Sequence, residues 1–241
     1  MIEFVPETGS TNADIAARLR AGEFVPEDCW LVADRQSAGR GRQGRDWFDG
    51  NGNFMGSTLV HLQAGDPAPA TLSLLTGLAV YEAISGCPGA QGSMIMLKWP
   101  NDVMAGGAKL AGILLERIGD AVVVGIGVNL VSAPEVPDRE TIALADLGAE
   151  PKRDTFAEDL ARIFHLELER WRNFGLAPII KRWLAVAHPK GTPLAVKVSG
   201  EATLTGTFDG LGEDGSLQLR LADGSSRVIH AGEVILAGQE K

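Results

Sequence analysis

The chain has 241 residues, 45% of them hydrophobic and 22% charged, with a formal net charge of −9 and a sequence pI near 5.0. These values exclude a largely disordered chain, and they exclude a protein whose main task is nonspecific nucleic-acid binding, since that affinity comes from an excess of cations on phosphates. Cys29 and Cys87 form no C-x-x-C pair, and His61, His165, His188 and His230 show no pair at ligand spacing, so neither a disulfide framework nor a resident metal is expected.

The start, Met1 to Glu7, has no basic and apolar leader, and the apolar runs are too short to span a bilayer, so a cytoplasmic protein is expected. A helix is predicted from Thr11, with Thr11 and Asp14 in a Ser/Thr-x-x-acid capping arrangement and Gly22 as its stop. Ser10, Thr11 and Asn12 then sit at a helix N-terminus, either as a simple cap or with spare hydroxyl and amide groups for a polar ligand head. Trp30–Asp34 reads as a strand that delivers a loop, and Asn53–Leu62 as the strand that leaves it.

That loop, Gly39 to Trp47, packs three arginines and three glycines into its first seven residues and closes on an aromatic. Arginine forks match phosphate or carboxylate, glycine lets backbone close around a ligand, and Trp47 offers a stacking surface. Gly39-Arg40-Gly41-Arg42-Gln43-Gly44 also fits the G-x-G-x-x-G spacing, but the turn formers and aromatics from Asp46 to Asn53 leave no room for the helix that a dinucleotide turn requires. A solvated basic loop or an RNA-binding Arg-Gly segment is the other reading of these residues alone.

Ala68–Ile84 is apolar at helical spacing and ends at Gly86 and Pro88. Met94–Asp102 is an apolar strand that turns polar, with Lys98 between Leu97 and Trp99 either as a snorkelling lysine or as a site cation. After a Gly106-Gly107 turn, Lys109–Glu116 and Val122–Leu130 read as paired strands joined at Gly119-Asp120. Gly112, Gly125 and Gly127 recur on one face, marking either a bulge or a slot for a flat ligand. Asp154 is the expected N-cap of an amphipathic helix, Leu176–Val186 a second helix, and beyond Pro189 short alternating strands with glycine turns form a small all-β barrel or sandwich. The expected division is 1–188 and 189–241.

Taken in order, Ser10-Thr11-Asn12, Gln36 with Gly39 to Trp47, Lys98-Trp99-Pro100-Asn101-Asp102, Lys109 to Leu114, and Gly125-Ile126-Gly127-Val128-Asn129 resemble the biotin protein ligases over nearly the whole chain. The end, Ala231-Gly232-Glu233-Val234, resembles their small SH3-like domain. The resemblance implies an α+β fold, a class II synthetase-like mixed sheet backed by helices, with that domain appended as a β-barrel. It implies ATP and biotin as substrates, magnesium carried with ATP, a biotinyl-adenylate intermediate, and transfer to a lysine of a carboxylase's biotin carrier domain.

By the same resemblance, Ser10, Thr11, Asn12, Gln36, Arg40, Gly41, Arg42, Lys98 and Gly112 contact biotin. Arg40, Arg42, Arg45, Trp47, Lys98, Lys109 and Asn129 contact ATP or the adenylate. Lys98, Arg42 and Asp102 are the catalytic candidates, Asp102 reading equally as a strand-end turn residue. Phe48-Asp49-Gly50-Asn51-Gly52 departs from the Ser-Pro-x-Gly that often follows the tryptophan. No helix-turn-helix precedes Ser10, so the expected form is monofunctional, without DNA or membrane partners, as a monomer or homodimer. A lipoate or octanoate ligase shares the fold and an active lysine, and a protein that only sequesters biotin or RNA is the reading from another class.

Overall fold

The computed structural model describes residues 1–236 apart from Gln91, Ser93, Asp138, Ser199 and Glu201, so the last five residues of the 189–241 segment lie outside it. Seven strands form the main sheet: β1 (Ile2–Thr8), β2 (Trp30–Gln36), β3 (Phe54–His61), β4 (Ile95–Lys98), β5 (Asp102–Ala105), β6 (Ala108–Ile118) and β7 (Ala121–Val128), in the order β1-β2-β3-β7-β6-β5-β4. Only β1 and β2 run parallel, which makes the sheet mixed. Strand β1 gave no clear sequence signal because Pro6 interrupts its pattern; at a sheet edge the missing N–H is tolerated.

Alternation along the strands sends successive side chains to opposite faces. Val124, Ile126 and Val128 face the large core, which α2 (Leu72–Ser85) and α3 (Arg153–Phe174) cover. Helix α2 is apolar all round because it is enclosed by the sheet and α3, and α4 (Ala177–Ala185) packs beside them. Ala121 and Val123 face the other way and meet Ile15 and Ala16 of α1 (Thr11–Arg20). The short α1 covers only part of that second face, and the remainder is open to ligands.

Two helix starts differ from expectation. Ser10 is the N-cap of α1, while Thr11 lies inside the first turn with both its N–H and its hydroxyl turned to Gln36. The capping pair with Asp14 therefore does not form, and the Asp14 carboxylate accepts the Thr8 hydroxyl instead. Helix α3 starts with Lys152 as N-cap, and Asp154 sits in its first turn paired with Arg153.

Strands β8 (Pro193–Lys197), β9 (Leu204–Leu211), β10 (Leu217–Arg220), β11 (Ser226–Ile229) and β12 (Glu233–Leu236) make an antiparallel sheet in the order β11-β10-β9-β8-β12, and among the described residues no β11–β12 pairing closes it. Leu194, Val196, Phe208 and Leu217 join the large core rather than forming a separate one. Trp99 Nε1 donates to Gly215 O at 3.1 Å, fastening the β4–β5 turn to this second sheet.

Candidate active site

Strand pairing lays one row of residues across the open face: Lys98 opposite Asp102, Asp102 opposite Gly112, Gly112 opposite Gly127. Two ionic side chains thus stand beside a gap in the side-chain layer. Lys109 Nζ lies 2.6 Å from Asp102 Oδ1 and Lys98 Nζ lies 3.6 Å from Asp102 Oδ2, each side chain only 13–14% exposed.

The three charges do not balance. Burial tends to raise the Asp102 pKa, but the two lysines, with Arg139 beyond them, hold it below its usual value. The Lys98 ammonium is also lowered, because burial and repulsion from Lys109 and Arg139 outweigh its half-share of one carboxylate. The cluster therefore carries surplus positive charge that an anion would relieve.

Every residue singled out by the family resemblance lines one cavity of about 1200 Å³ on this face. At one end, Thr11 N donates to Gln36 Oε1 at 2.8 Å, Ser57 Oγ donates to Asn12 Oδ1 at 2.6 Å, and Asn12 Nδ2 donates to Glu116 Oε2 at 2.7 Å. The Thr11 and Ser57 hydroxyl oxygens lie 2.7 Å apart, where either can donate, so their two protons are shared among Gln36 Oε1, Asn12 Oδ1 and each other. Ser10 leaves its hydroxyl out of the cap.

The arginine loop folds as a small hairpin, with Arg40 bridged to Asp46 and Trp47 N donating to Gly39 O at 2.9 Å. Its tip carries Gln43 at φ 58° and Gly44 at φ 73°, the reversal that turns Arg42 inward. Arg42 donates to Asn101 Oδ1 at 2.9 Å and to Gly232 O at 3.2 Å; Arg45 grips Glu233 through two contacts of 2.6 Å. The second sheet thus latches the loop.

Trp47 lies on the glycine gap. A Cβ on Gly127 would stand 2.1 Å from the indole, and one on Gly125 2.3 Å from Asn12 Oδ1, so any larger residue displaces the loop or the polar pocket. Lys109 Nζ lies 5.7 Å from the Trp47 ring centroid, and the buried Trp47 Nε1 has no hydrogen-bond partner among the described residues. Asn129, expected near phosphate, directs its amide to the carbonyls of Lys109 at 3.5 Å and Ile142 at 3.3 Å, long contacts that tie the 139–144 segment to β6.

Asn101 and Glu233 stood inside quoted motifs without being given a role, whereas Ser57, Glu116, Arg139 and Lys197 also line or brace the site and carried no sequence signal strong enough to select them. Ser57 had the best one, lying within an apolar strand, while the others needed the strand register. Among the described residues no group of three or more His, Cys, Asp and Glu side chains could hold a metal ion.

His188 follows Ala187, which bridges Leu97, and so continues level with Lys98. Its buried Nε2 has no hydrogen-bond partner among the described residues, and burial together with the Lys98 charge lowers its pKa from 6.5 to about 4. The unfolded chain takes this proton first, so stability is lost as pH falls from 6.5 towards about 4. His188→Phe is expected to abolish that acid-side loss, worth up to about 3 kcal/mol, when urea midpoints are compared at pH 7 and pH 4. Equal acid sensitivity in both proteins would refute it.

Residues 10–130 match the biotin/lipoate A/B protein ligase family and residues 195–237 the biotin protein ligase C terminal domain. A biotin–[acetyl-CoA-carboxylase] ligase of Paracoccus denitrificans is 38% identical over 96% of this chain and 98% of its own. One of the same description from Mycobacterium tuberculosis is 35% identical over 97% and 88%. The structure of the Aquifex aeolicus biotin protein ligase in complex with biotin and ATP superposes with a TM-score of 0.83 at 27% identity, covering 98% of this chain and 97% of that one. By the profile match over half its length and by relatives that align end to end, the chain belongs to the biotin/lipoate A/B protein ligase family.

Proposed function

We propose that this chain is a biotin protein ligase, activating biotin with magnesium ATP and passing it to a lysine on the biotin carrier of a carboxylase. A single observation carries the reading. The row Lys98, Asp102, Gly112, Gly127 lies under a latched arginine loop, in a chain that shares 38% of its residues with a biotin–[acetyl-CoA-carboxylase] ligase over nearly full length.

In the first step a carboxylate oxygen of biotin bonds to the α-phosphorus, the bond to the β-phosphate bridging oxygen breaks, and pyrophosphate leaves with the electron pair. Negative charge on the α-phosphate oxygens grows during attack, and fixed cations in a dry site are the strongest available stabiliser. Lys98 and Arg42 are placed for this, Lys109 for the phosphate, and Arg40 and Arg45 for closing the loop. In the second step the acceptor amine bonds to the acyl carbon, AMP departs with the anhydride electrons, and the amine loses a proton to solvent. Magnesium carried with ATP as part of that substrate would offset part of the phosphate charge.

Ser10, Thr11, Asn12 and Gln36 hold the polar head of biotin, with Gly41 and Gly112 giving backbone access to it. Trp47 and Asn129 frame the adenylate end. Asp102 serves as a holder of lysines: a carboxylate kept below its usual pKa between two ammonium groups is a poor proton acceptor. We divide the chain after His188, residues 1–188 bearing the chemistry and 189–241 the latch, in a reaction that belongs to the cytoplasm with ATP and the carrier. No described helix is long and apolar enough to cross a membrane.

ATP–pyrophosphate exchange by the purified chain, with biotin, lipoate, octanoate or no acid, tests the reading. Exchange with biotin alone is the expected result. Exchange with lipoate alone would move the chain to the lipoate side of its family, and exchange with none would overturn the assignment.

A further inference from the structure

The cavity is far more basic than the chain. Its walls carry seven lysines and arginines against four aspartates and glutamates, in a protein whose net charge is −9. Most of these cations are committed. Lys98 and Lys109 share Asp102, Arg42 donates to Asn101 and to Gly232 O, and Arg45 is held by Glu233. Arg40, Arg139 and Lys197 line the same cavity, and none of the three side chains has an ion-pair or hydrogen-bond partner among the described residues; Arg40 lies on the loop, which leaves Arg139 and Lys197 as the uncommitted cations of the fixed walls.

Their placement follows from the backbone. Thr141 bridges Lys109, and the N–H of Lys109 donates to Glu140 O at 2.8 Å, so Arg139 is carried on a segment stitched to the strand that presents Lys109. Its charge reaches Lys98 and Asp102 on one side and Glu233 on the other. Lys197 ends β8 directly opposite Glu233 of β12 and also acts on that carboxylate. The two cations therefore stand beyond the Lys98–Asp102–Lys109 cluster, away from the Ser10–Asn12 end. Along β7 the polar pocket at Gly125 and the nucleotide end at Asn129 are four residues apart, roughly 13 Å of strand.

We propose that Arg139 and Lys197 form a subsite for the β- and γ-phosphates of ATP, which leave as pyrophosphate. The proposal rests on the ligase reading and extends it. The acid and its attacking carboxylate occupy the end near Asn12 and Lys98, and in-line displacement sends the leaving group to the opposite side of the α-phosphorus. Arg139 and Lys197 supply that side with two uncommitted cations, one from the nucleotide end of the main sheet and one from the second sheet. Developing charge on the departing oxygen is met by two cations that feel nearby carboxylates but make no direct ion pair among the described residues, and a planar arginine fork is suited to two phosphate oxygens. The second sheet thereby has two tasks, latching the arginine loop through Glu233 and gripping the leaving group through Lys197.

The test compares Arg139→Ala, Lys197→Ala, the double variant and Arg139→Lys with the wild-type chain. Three quantities are read: the ATP KM and single-turnover rate of adenylate formation, the pyrophosphate concentration needed for reversal of adenylate formation, and transfer to carrier from preformed biotinyl-adenylate. Each alanine variant is expected to raise the ATP KM and the pyrophosphate requirement by about tenfold, as for loss of one charge-assisted contact, and the double variant by more. Arg139→Lys, keeping the charge without the fork, is expected to fall between. Transfer from preformed adenylate contains no pyrophosphate and is expected to change less than about twofold. An unchanged pyrophosphate requirement in the double variant, or a parallel loss in the transfer step, overturns the subsite. If the wild-type chain exchanges pyrophosphate with no acid, the ligase reading itself fails, a result distinct from normal exchange unaffected by the substitutions.

Discussion

Lys98→Ala is expected to slow biotinyl-adenylate formation by about 10² to 10³, equivalent to about 2.7 to 4 kcal/mol of transition-state stabilisation, the usual cost of removing one preorganised group that meets developing charge. Register fixes Lys98 opposite Asp102, and the side chain is largely buried beside a glycine gap, so its charge acts with little solvent screening. Its position is also determined from behind, because the Leu97 N–H donates to Val186 O at 2.9 Å and Leu97 bridges Ala187.

Burial lowers the Lys98 pKa, so the ammonium carries a desolvation penalty in the folded chain. Below its depressed folded pKa that penalty is fully present, and it fades as pH rises towards 10.5, the ordinary lysine value. Lys98→Ala should therefore be no less stable than wild type at pH 7 despite its lost activity. Biotin-dependent pyrophosphate exchange and urea unfolding on the same preparation check both halves. A stable variant that exchanges at the wild-type rate would remove Lys98 from the chemistry.

The parts of this molecule that were legible in its sequence are those in which local chemistry decides the outcome. The hairpin of β6 and β7, the helix ended by Gly86, and the strand–loop–strand around Gly39 to Trp47 each carry periodicity bounded by turn residues. The site residues were visible as types and spacing, but the reason they converge was not. Lys98, Asp102, Gly112 and Gly127 share a row only because four strands pair in one particular register, which is a long-range property of the sheet. The Thr11–Asp14 cap was misread for a related reason: Gln36 lies 25 residues away in sequence yet takes both the Thr11 N–H and hydroxyl. Glu233 could not be linked to Arg45 without the fold, since 188 residues separate them. The recurring glycines were read as either a bulge or a slot for a flat ligand, and the flat group that lies over Gly112 and Gly127 is the chain's own Trp47.

Asp102→Asn is expected to destabilise the fold by about 3 kcal/mol at pH 7, near the lower end of the 3–5 kcal/mol typical of a broken buried ion pair. The near-isosteric amide keeps the turn and removes only the charge. Lys98 and Lys109 would then face each other in a site that exposes 13–14% of their side chains, with no anion between them. The sign in acid is definite. Asp102 titrates below its ordinary 3.8, so its contribution is complete above that value and is lost as pH falls through the depressed folded pKa.

The gap between wild type and Asp102→Asn should therefore be constant from pH 7 to about pH 5 and close only in stronger acid. His188 titrates in a higher window, between 6.5 and about 4, so repeating the comparison on a His188→Phe background separates the two effects. Adding Lys109→Met to Asp102→Asn removes one of the stranded charges and should recover a substantial part of the loss, a coupling that urea midpoints of the four proteins in the cycle would measure. Additive effects would mean that Asp102 steadies the turn rather than the lysines. Recovery would instead tie the surplus positive charge at Lys98 to a single carboxylate, whose hold on the two lysines leaves the site short of one anion until substrate enters.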